Sequence, residues 1–340
     1  MERRFIPIAL FSLFLAAAIA GGSLWVSKNR EIAMRQERFL GMVAGDSIER
    51  QEPVIAERRD ASSEFRPLRK DGVGYYTVPT AHAAVILDAA TGISLLEQDA
   101  DEHRAIASIT KLMTTMIAVE EIEDLEEPVT ISETAVYAEG TRVGCPRSGF
   151  CNGERFHVGE KISVRNLLKA ALMNSANDAA IALAEHVSGS QEEFVKRMNR
   201  RSEELGLENT RFCTASGLEL DDESEELKCH SSARDVAKIA AYALRYDILW
   251  TTMQTEKTFI TSVDGRYEHE IFNTDRLLGY TNLLGTKTGF TPRAGYSLLA
   301  VAGDPEKGEH RLIAVVLDDS SRWQSIQEMF SWGFSSYEWL

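Results

Sequence analysis

The chain is short of positive charge. Across 340 residues, 37 lysines and arginines face 52 aspartates and glutamates, a formal charge of −15. That balance argues against nucleic acid or an anionic lipid surface as the main partner, since both would be repelled. Any anionic ligand then needs a local positive pocket. Cysteine is scarce as well: Cys145, Cys151, Cys213 and Cys229 are the only four. Neither sequence-local pair has the short spacing of a zinc knuckle, so no metal site is expected. An even count allows disulfides in three connectivities. The simplest joins neighbours, Cys145 to Cys151 and Cys213 to Cys229, with buried reduced thiols as the alternative. Internal repeats are lacking too. The apolar share of 44 % is ordinary for a globular chain, and the length admits one large domain or two moderate ones.

From Phe5 to Val26 charge is missing altogether. This run follows Arg3 and Arg4 and is long enough to cross a bilayer as a helix. Residues 1–26 are therefore expected to be a signal anchor, with cleavage after Ala18-Ile19-Ala20 and release as the alternative. Lys28 and Arg30 on the far side blur the positive-inside rule. Residues 27–76 are dense in both charge signs and read as a charged linker, whose first part, to about Val43, can continue the helix. The folded core is expected over residues 77–340.

Within that core, Ala84 to Asp88 and Ile93 to Leu96 read as a hairpin around Ala90-Thr91-Gly92. Helices are predicted from Ser108 to about Glu120, over Val164–Ala171, Asp178–Val187, Glu192–Leu205 with Gly206 as the stop, and Ala233–Tyr246. The last third changes character. Leu283–Thr288, Tyr296–Val301 and Arg311–Leu317 read as strands, and Trp323–Phe334 as a closing helix. Strands first, helices in the middle and strands at the end predict an α+β fold, one antiparallel sheet carrying an all-helical insertion.

Three short motifs carry chemistry. In Ala107-Ser108-Ile109-Thr110-Lys111 a serine and a lysine stand three residues apart, on one face of a helix. A serine hydroxyl needs a base to become a nucleophile, and a neutral lysine can serve. The same pattern alone also fits an N-capped core helix with an exposed lysine. Ser175-Ala176-Asn177 lies in a turn between helices, where a hydroxyl can relay a proton and an amide can bind a peptide group. Lys287-Thr288-Gly289 ends a strand and offers a cation, a hydroxyl and a bare edge that substrate backbone can approach. Each tripeptide is weak alone; the three together, in this order, are specific.

These motifs and the residues around them resemble the serine D-alanyl-D-alanine carboxypeptidases, the low-molecular-mass penicillin-binding proteins that share a fold with serine β-lactamases. The resemblance includes Ala84-Val85-Ile86-Leu87-Asp88-Ala89 with Thr91-Gly92, Asn174-Ser175-Ala176-Asn177-Asp178-Ala179, Lys287-Thr288-Gly289-Phe290-Thr291, Ala294-Gly295-Tyr296 and Trp332-Gly333-Phe334. It implies a β-lactamase/transpeptidase-like fold, a five-stranded antiparallel sheet flanked by helices with an all-helical subdomain. It implies Ser108 as the acylated nucleophile, Lys111 as its base and Ser175 as a proton shuttle. Asn177 would bind the substrate peptide bond, and Lys287 and Thr288 its carboxylate. Backbone N–H groups of Ser108 and Phe290 would form the oxyanion hole, and Arg322, ten residues before Trp332, would bind the terminal carboxylate. The alternative for Arg322 is a surface residue capping its helix.

The substrate implied is the pentapeptide stem of peptidoglycan, with β-lactams as covalent inhibitors and no cofactor. The catalytic domain would then lie outside the cell membrane, held by the N-terminal segment, or be secreted if the signal is cleaved. Many relatives carry histidine where Phe290 stands, so only its backbone role carries over. The match ends with the catalytic domain, so any anchoring falls to the N-terminal span. A disulfide between Cys145 and Cys151 would stiffen the rim of the cleft. Rival readings are a D,D-endopeptidase acting on cross-links, a serine β-lactamase and a non-catalytic wall-binding module. The lactamase lacks support, because the stretch Leu205 to Gly217 holds no acid where a deacylating glutamate would stand.

Overall fold

The computed structural model describes residues 66–146, 150–219, 229–306 and 310–340. The Phe5–Val26 stretch and most of the charged linker lie outside the described residues. Among the described residues no helix is long and apolar enough to cross a membrane.

Five antiparallel strands make the central sheet: β1 (Ala81–Asp88), β2 (Ser94–Gln98), β3 (Leu283–Thr291), β4 (Gly295–Gly303) and β5 (Arg311–Asp319). Their order across the sheet is β2-β1-β5-β4-β3, so β3 is an edge. Strands β1 and β5 read as unbroken apolar runs because both of their faces are covered. Val85, Leu87, Ile313 and Val315 face one core; Ala84, Ile86, Leu312 and Ala314 face a second core on the other side. At the end of β1 the buried Asp88 accepts bonds from Thr91 N and Oγ1, at 2.9 and 2.6 Å, and from Trp339 Nε1 at 2.7 Å. That carboxylate fixes the β1–β2 turn, and Gly92 supplies its left-handed residue, with φ 70°.

The segment between β2 and β3 holds α1 (Lys111–Glu121), α2 (Val164–Leu172), α3 (Asn177–Ser188), α4 (Gln191–Glu204), α5 (Ala233–Ala243) and α6 (Asp247–Met253). Among its described residues this insertion also carries two short ribbons, Pro128–Thr130 with Lys161–Ser163 and Lys257–Thr261 with Glu268–Phe272, and irregular connections. Helix α7 (Arg322–Ser336) covers the second core with Ile326, Met329 and Phe330 and is followed by a short strand, Tyr337–Trp339. The helix expected over Ala233–Tyr246 stops at Ala243, and a separate helix, α6, begins at Asp247.

The boundary at Thr77 is too late. Pro67–Arg69 pairs in antiparallel fashion with Tyr337–Trp339, and Tyr76 stacks on Trp332 while its hydroxyl donates to Glu328 at 2.9 Å. Residues 66–76 thus belong to the folded unit. Their partners lie more than 250 residues away, so local charge pattern could not reveal them.

Candidate active site

Ser108 does not open an α-helix. It sits in a 3-10 turn, Ala107–Thr110, which runs straight into α1. Three residues per turn bring positions i and i+3 nearly into register, which aligns Ser108 with Lys111. The turn is entered through Ala107, held at φ 47°, a costly conformation for alanine. Two glycines make room for it. A Cβ on Gly217 would lie 1.9 Å from Ala107 O, and one on Gly289 would lie 2.5 Å from Ile106 O. The bare edge at Gly289, expected to admit substrate, is thus also what lets the backbone at Ile106, just before the serine, press against β3.

Lys111 is completely buried, and its Nζ has three neighbours: Asn177 Oδ1 at 2.6 Å, Ser216 O at 2.8 Å and Ser108 Oγ at 2.8 Å. The first two can only accept. A neutral amine therefore gives them its two hydrogens and turns its lone pair to the hydroxyl of Ser108. Burial holds Lys111 well below the usual lysine range, the Lys287 cation pushes the same way, and the Asp178 carboxylate opposes them. Thr114, one turn along α1, donates to Ala215 O at 2.6 Å and so fixes the loop that presents Ser216 O.

The second motif occupies the α2–α3 connection. Ser175 takes a left-handed conformation, φ 58°, and is buried. Asn177 opens α3, and a strap formed by residues 139–145 closes over it. Asn177 N donates to Thr141 O and its Nδ2 to Glu139 O, both at 2.7 Å, while Asn174 Nδ2 donates to Arg142 O at 3.2 Å. One Nδ2 hydrogen of Asn177 is left for another acceptor.

On β3, Lys287 is buried and donates to Ser175 Oγ at 3.0 Å and to Thr288 O at 3.2 Å. Burial, then repulsion from Arg322, pushes Lys287 down to about 7. Thr288 Oγ1 is 3.0 Å from Thr274 Oγ1. Arg322 is half-buried rather than a surface cap. Its Nη1 donates to Gly289 O and Ser297 O, both at 2.9 Å, and the guanidinium rests 5.2 Å from the Tyr296 ring centroid. Its remaining N–H groups are on Nε and Nη2. Phe290 turns its ring outward, 52 % exposed and stacked on Tyr296.

The structure thus gathers Ser108, Lys111 and Asn177 into one hydrogen-bonded group and Ser175 with Lys287 into a second, with Thr288, Gly289 and Arg322 on the strand that carries Lys287 or against it. The cysteines stand apart, bonded as Cys145–Cys151 in the strap and its return and Cys213–Cys229 beside the Ser216 loop. Sequence reasoning missed Asp178, Thr114, Tyr296 and the carbonyl of Ser216. Of these, Asp178 and Tyr296 stand in the resembling stretches without a role of their own, and nothing local tells of the burial of Asp178. Among the described residues no cluster of histidine, cysteine, aspartate and glutamate is arranged to hold a metal ion.

Comparison with known proteins agrees with this arrangement. The family profile of D-alanyl-D-alanine carboxypeptidases matches residues 77–321. The chain is 34 % identical over 267 residues to the D-alanyl-D-alanine carboxypeptidase DacF of Bacillus subtilis, which covers 76 % of this chain and 63 % of that protein. It thus spans less than two thirds of that relative's length. A D-alanyl-D-alanine endopeptidase of Pseudomonas aeruginosa is 33 % identical over 237 residues, covering 68 % of this chain and 70 % of its own. Among solved structures, ampicillin-bound penicillin-binding protein D2 of Listeria monocytogenes superposes with a TM-score of 0.60 at 28 % identity, over 77 % of this chain and 99 % of that one. With the sheet, the three motifs and a profile match across most of its folded unit, the chain belongs to the D-alanyl-D-alanine carboxypeptidases, peptidase family S11.

Proposed function

We propose that the protein is a serine D,D-carboxypeptidase that removes the terminal D-Ala from the pentapeptide stems of peptidoglycan through an acyl-enzyme. The observation that carries this is the set of three contacts at Lys111 Nζ, two to pure acceptors and one to Ser108 Oγ. Lys111 takes the Ser108 proton as Oγ attacks the carbonyl of the penultimate residue. The N–H groups of Ser108 and Phe290 receive the developing oxyanion. Ser175, oriented by Lys287, passes a proton to the amine of the departing D-Ala. Water then cleaves the ester. Thr288, Lys287 and the free face of Arg322 bind the terminal carboxylate, the local positive pocket that an acidic chain needs. β-Lactams would acylate the same serine, in keeping with the ampicillin complex of the Listeria protein.

The reading extends to location. Phe5–Val26 would anchor the chain with its catalytic unit on the extracytoplasmic face, where the substrate lies and where disulfides persist. The test of activity is incubation of the full-length chain in detergent with a D-Ala-D-Ala pentapeptide, followed by mass spectrometry. Released D-Ala and a tetrapeptide are expected; unchanged peptide overturns the proposal. The name of the Pseudomonas relative supports a second reading, hydrolysis of D,D-cross-links by the same residues. A cross-linked dimer offered beside the pentapeptide decides between them by which is consumed faster.

A further inference from the structure

Asp178 follows Asn177 in the first turn of α3, yet it is only 2 % exposed. Its oxygens accept from Val143 N at 3.0 and 3.3 Å and from Ala179 N at 2.9 Å. Val143 belongs to the strap that also receives the amides of Asn174 and Asn177. One carboxyl therefore ties that strap to the turn of helix bearing Asn177, the residue that holds Lys111. Among the described residues, the charges of Arg142 in the strap and Lys111 in α1 act on Asp178, and that of Lys287 acts on Lys111.

A carboxyl and an amine buried in one site can share a proton in two ways. They stand as COO⁻ with NH₃⁺ or as COOH with NH₂, with the same number of protons bound. Burial favours the uncharged arrangement for both. Burial pushes Asp178 up to about 7, against the hydrogen bonds from Ala179 and Val143 and the charges of Arg142 and Lys111. Only the uncharged arrangement leaves Lys111 a lone pair directed at Ser108.

We propose that Asp178 is a positioning residue for acylation: its side chain fixes the strap against Asn177, and its charge state biases that of Lys111. The inference rests on Ser108 being the acylated residue and Lys111 its base. Ionised Asp178 favours a proton on Lys111, and neutral Asp178 removes that support. The pH dependence of acylation thus belongs to the pair and not to the lysine alone.

The test measures the rate of labelling by a fluorescent penicillin between pH 5 and 9 on the full chain, in the wild type, Asp178→Asn and Arg142→Gln. Asp178→Asn has no carboxylate at any pH, so the rise of the rate moves to lower pH. Arg142→Gln removes a cation that favours ionised Asp178 and moves the rise the same way with Asp178 in place. It serves even if Asp178→Asn does not fold. Thermal midpoints give an independent reading. With Asp178 raised from 3.8 to about 7 on folding, its contribution to stability is full below 3.8 and is lost as pH rises through 7. Asp178→Asn should therefore gain on the wild type between pH 5 and pH 8. A uniform loss of rate with an unshifted midpoint in both variants overturns the proposal and leaves Asp178 a strut. Failure of the wild type itself to take label on Ser108 overturns this proposal and the reading of the site together.

Discussion

Lys111 Nζ donates to Asn177 Oδ1 across 2.6 Å, between the first residue of α1 and the first residue of α3. On the proposed mechanism this bond would make Asn177 part of the base as well as of the substrate wall. Asn177→Ala removes one of the two acceptors that orient the lone pair of Lys111. The acylation rate should fall by about 10–100-fold, the effect of losing one buried hydrogen bond of roughly 1–3 kcal/mol. Stopped-flow labelling with a fluorescent penicillin measures it, and a near wild-type rate would count against the geometry.

Ser108→Ala should take no penicillin label and release no D-Ala, as read by intact mass. Lys111→Arg keeps the charge but should also abolish acylation, because a guanidinium stays protonated. Label on Lys111→Arg at a near wild-type rate would exclude a neutral-lysine base, and the Ser175 hydroxyl would be examined next.

Lys287 carries its charge only below about 7. Its repulsion of a proton on Lys111 is therefore present at low pH and fades as pH rises through 7. Lys287→Met should slow acylation most below pH 7, by moving the rise of the rate to higher pH. Equal slowing at pH 6 and pH 9 would show that Lys287 acts only by binding substrate.

Gly217 stands at φ 79° with Ala107 O in the way of any side chain. Gly217→Ala should destabilise the fold by about 2 kcal/mol or more and displace the Ser108 turn. Urea denaturation and penicillin labelling, measured together, check both effects.

The disulfides close loops with sequence separations of 6 and 16. On the chain-entropy account each stabilises the protein by about 2–3 kcal/mol, the longer loop more. Replacing Cys213 and Cys229 by serine should cost more stability than replacing Cys145 and Cys151, while the latter pair should change acylation more, through the strap. Non-reducing peptide maps of protein made in an oxidising compartment should find both bridges.

Legibility followed distance along the chain. The hairpin around Thr91-Gly92 and the runs of β1 and β5 show in the sequence because local pattern specifies them. Ser108 and Lys111 show because three residues of spacing fix their geometry. Ser216 O, Thr114 and Tyr296 carry no local signal: each acts through a backbone atom or a contact between distant segments. Pro67–Arg69 was equally silent, since its partner strand ends the chain. Asp178 looked like an acid at a helix start, and only packing of the strap shows that it is buried.

The ribbon of Pro67–Arg69 and Tyr337–Trp339 has a mechanical meaning. Arg66 N donates to Leu340 O at 2.9 Å, and Leu340 N to Arg66 O at 3.3 Å. A pull arriving along the chain at Arg66 loads these bonds one after another, as a zipper opens. Behind them stand the Tyr76–Trp332 stack and the Tyr76–Glu328 bond, and only then Ala81, where the sheet begins. Tension would therefore peel a sacrificial flap and leave the strands that shape the cleft unstrained, much as a strain-relief sleeve protects the joint of a cable.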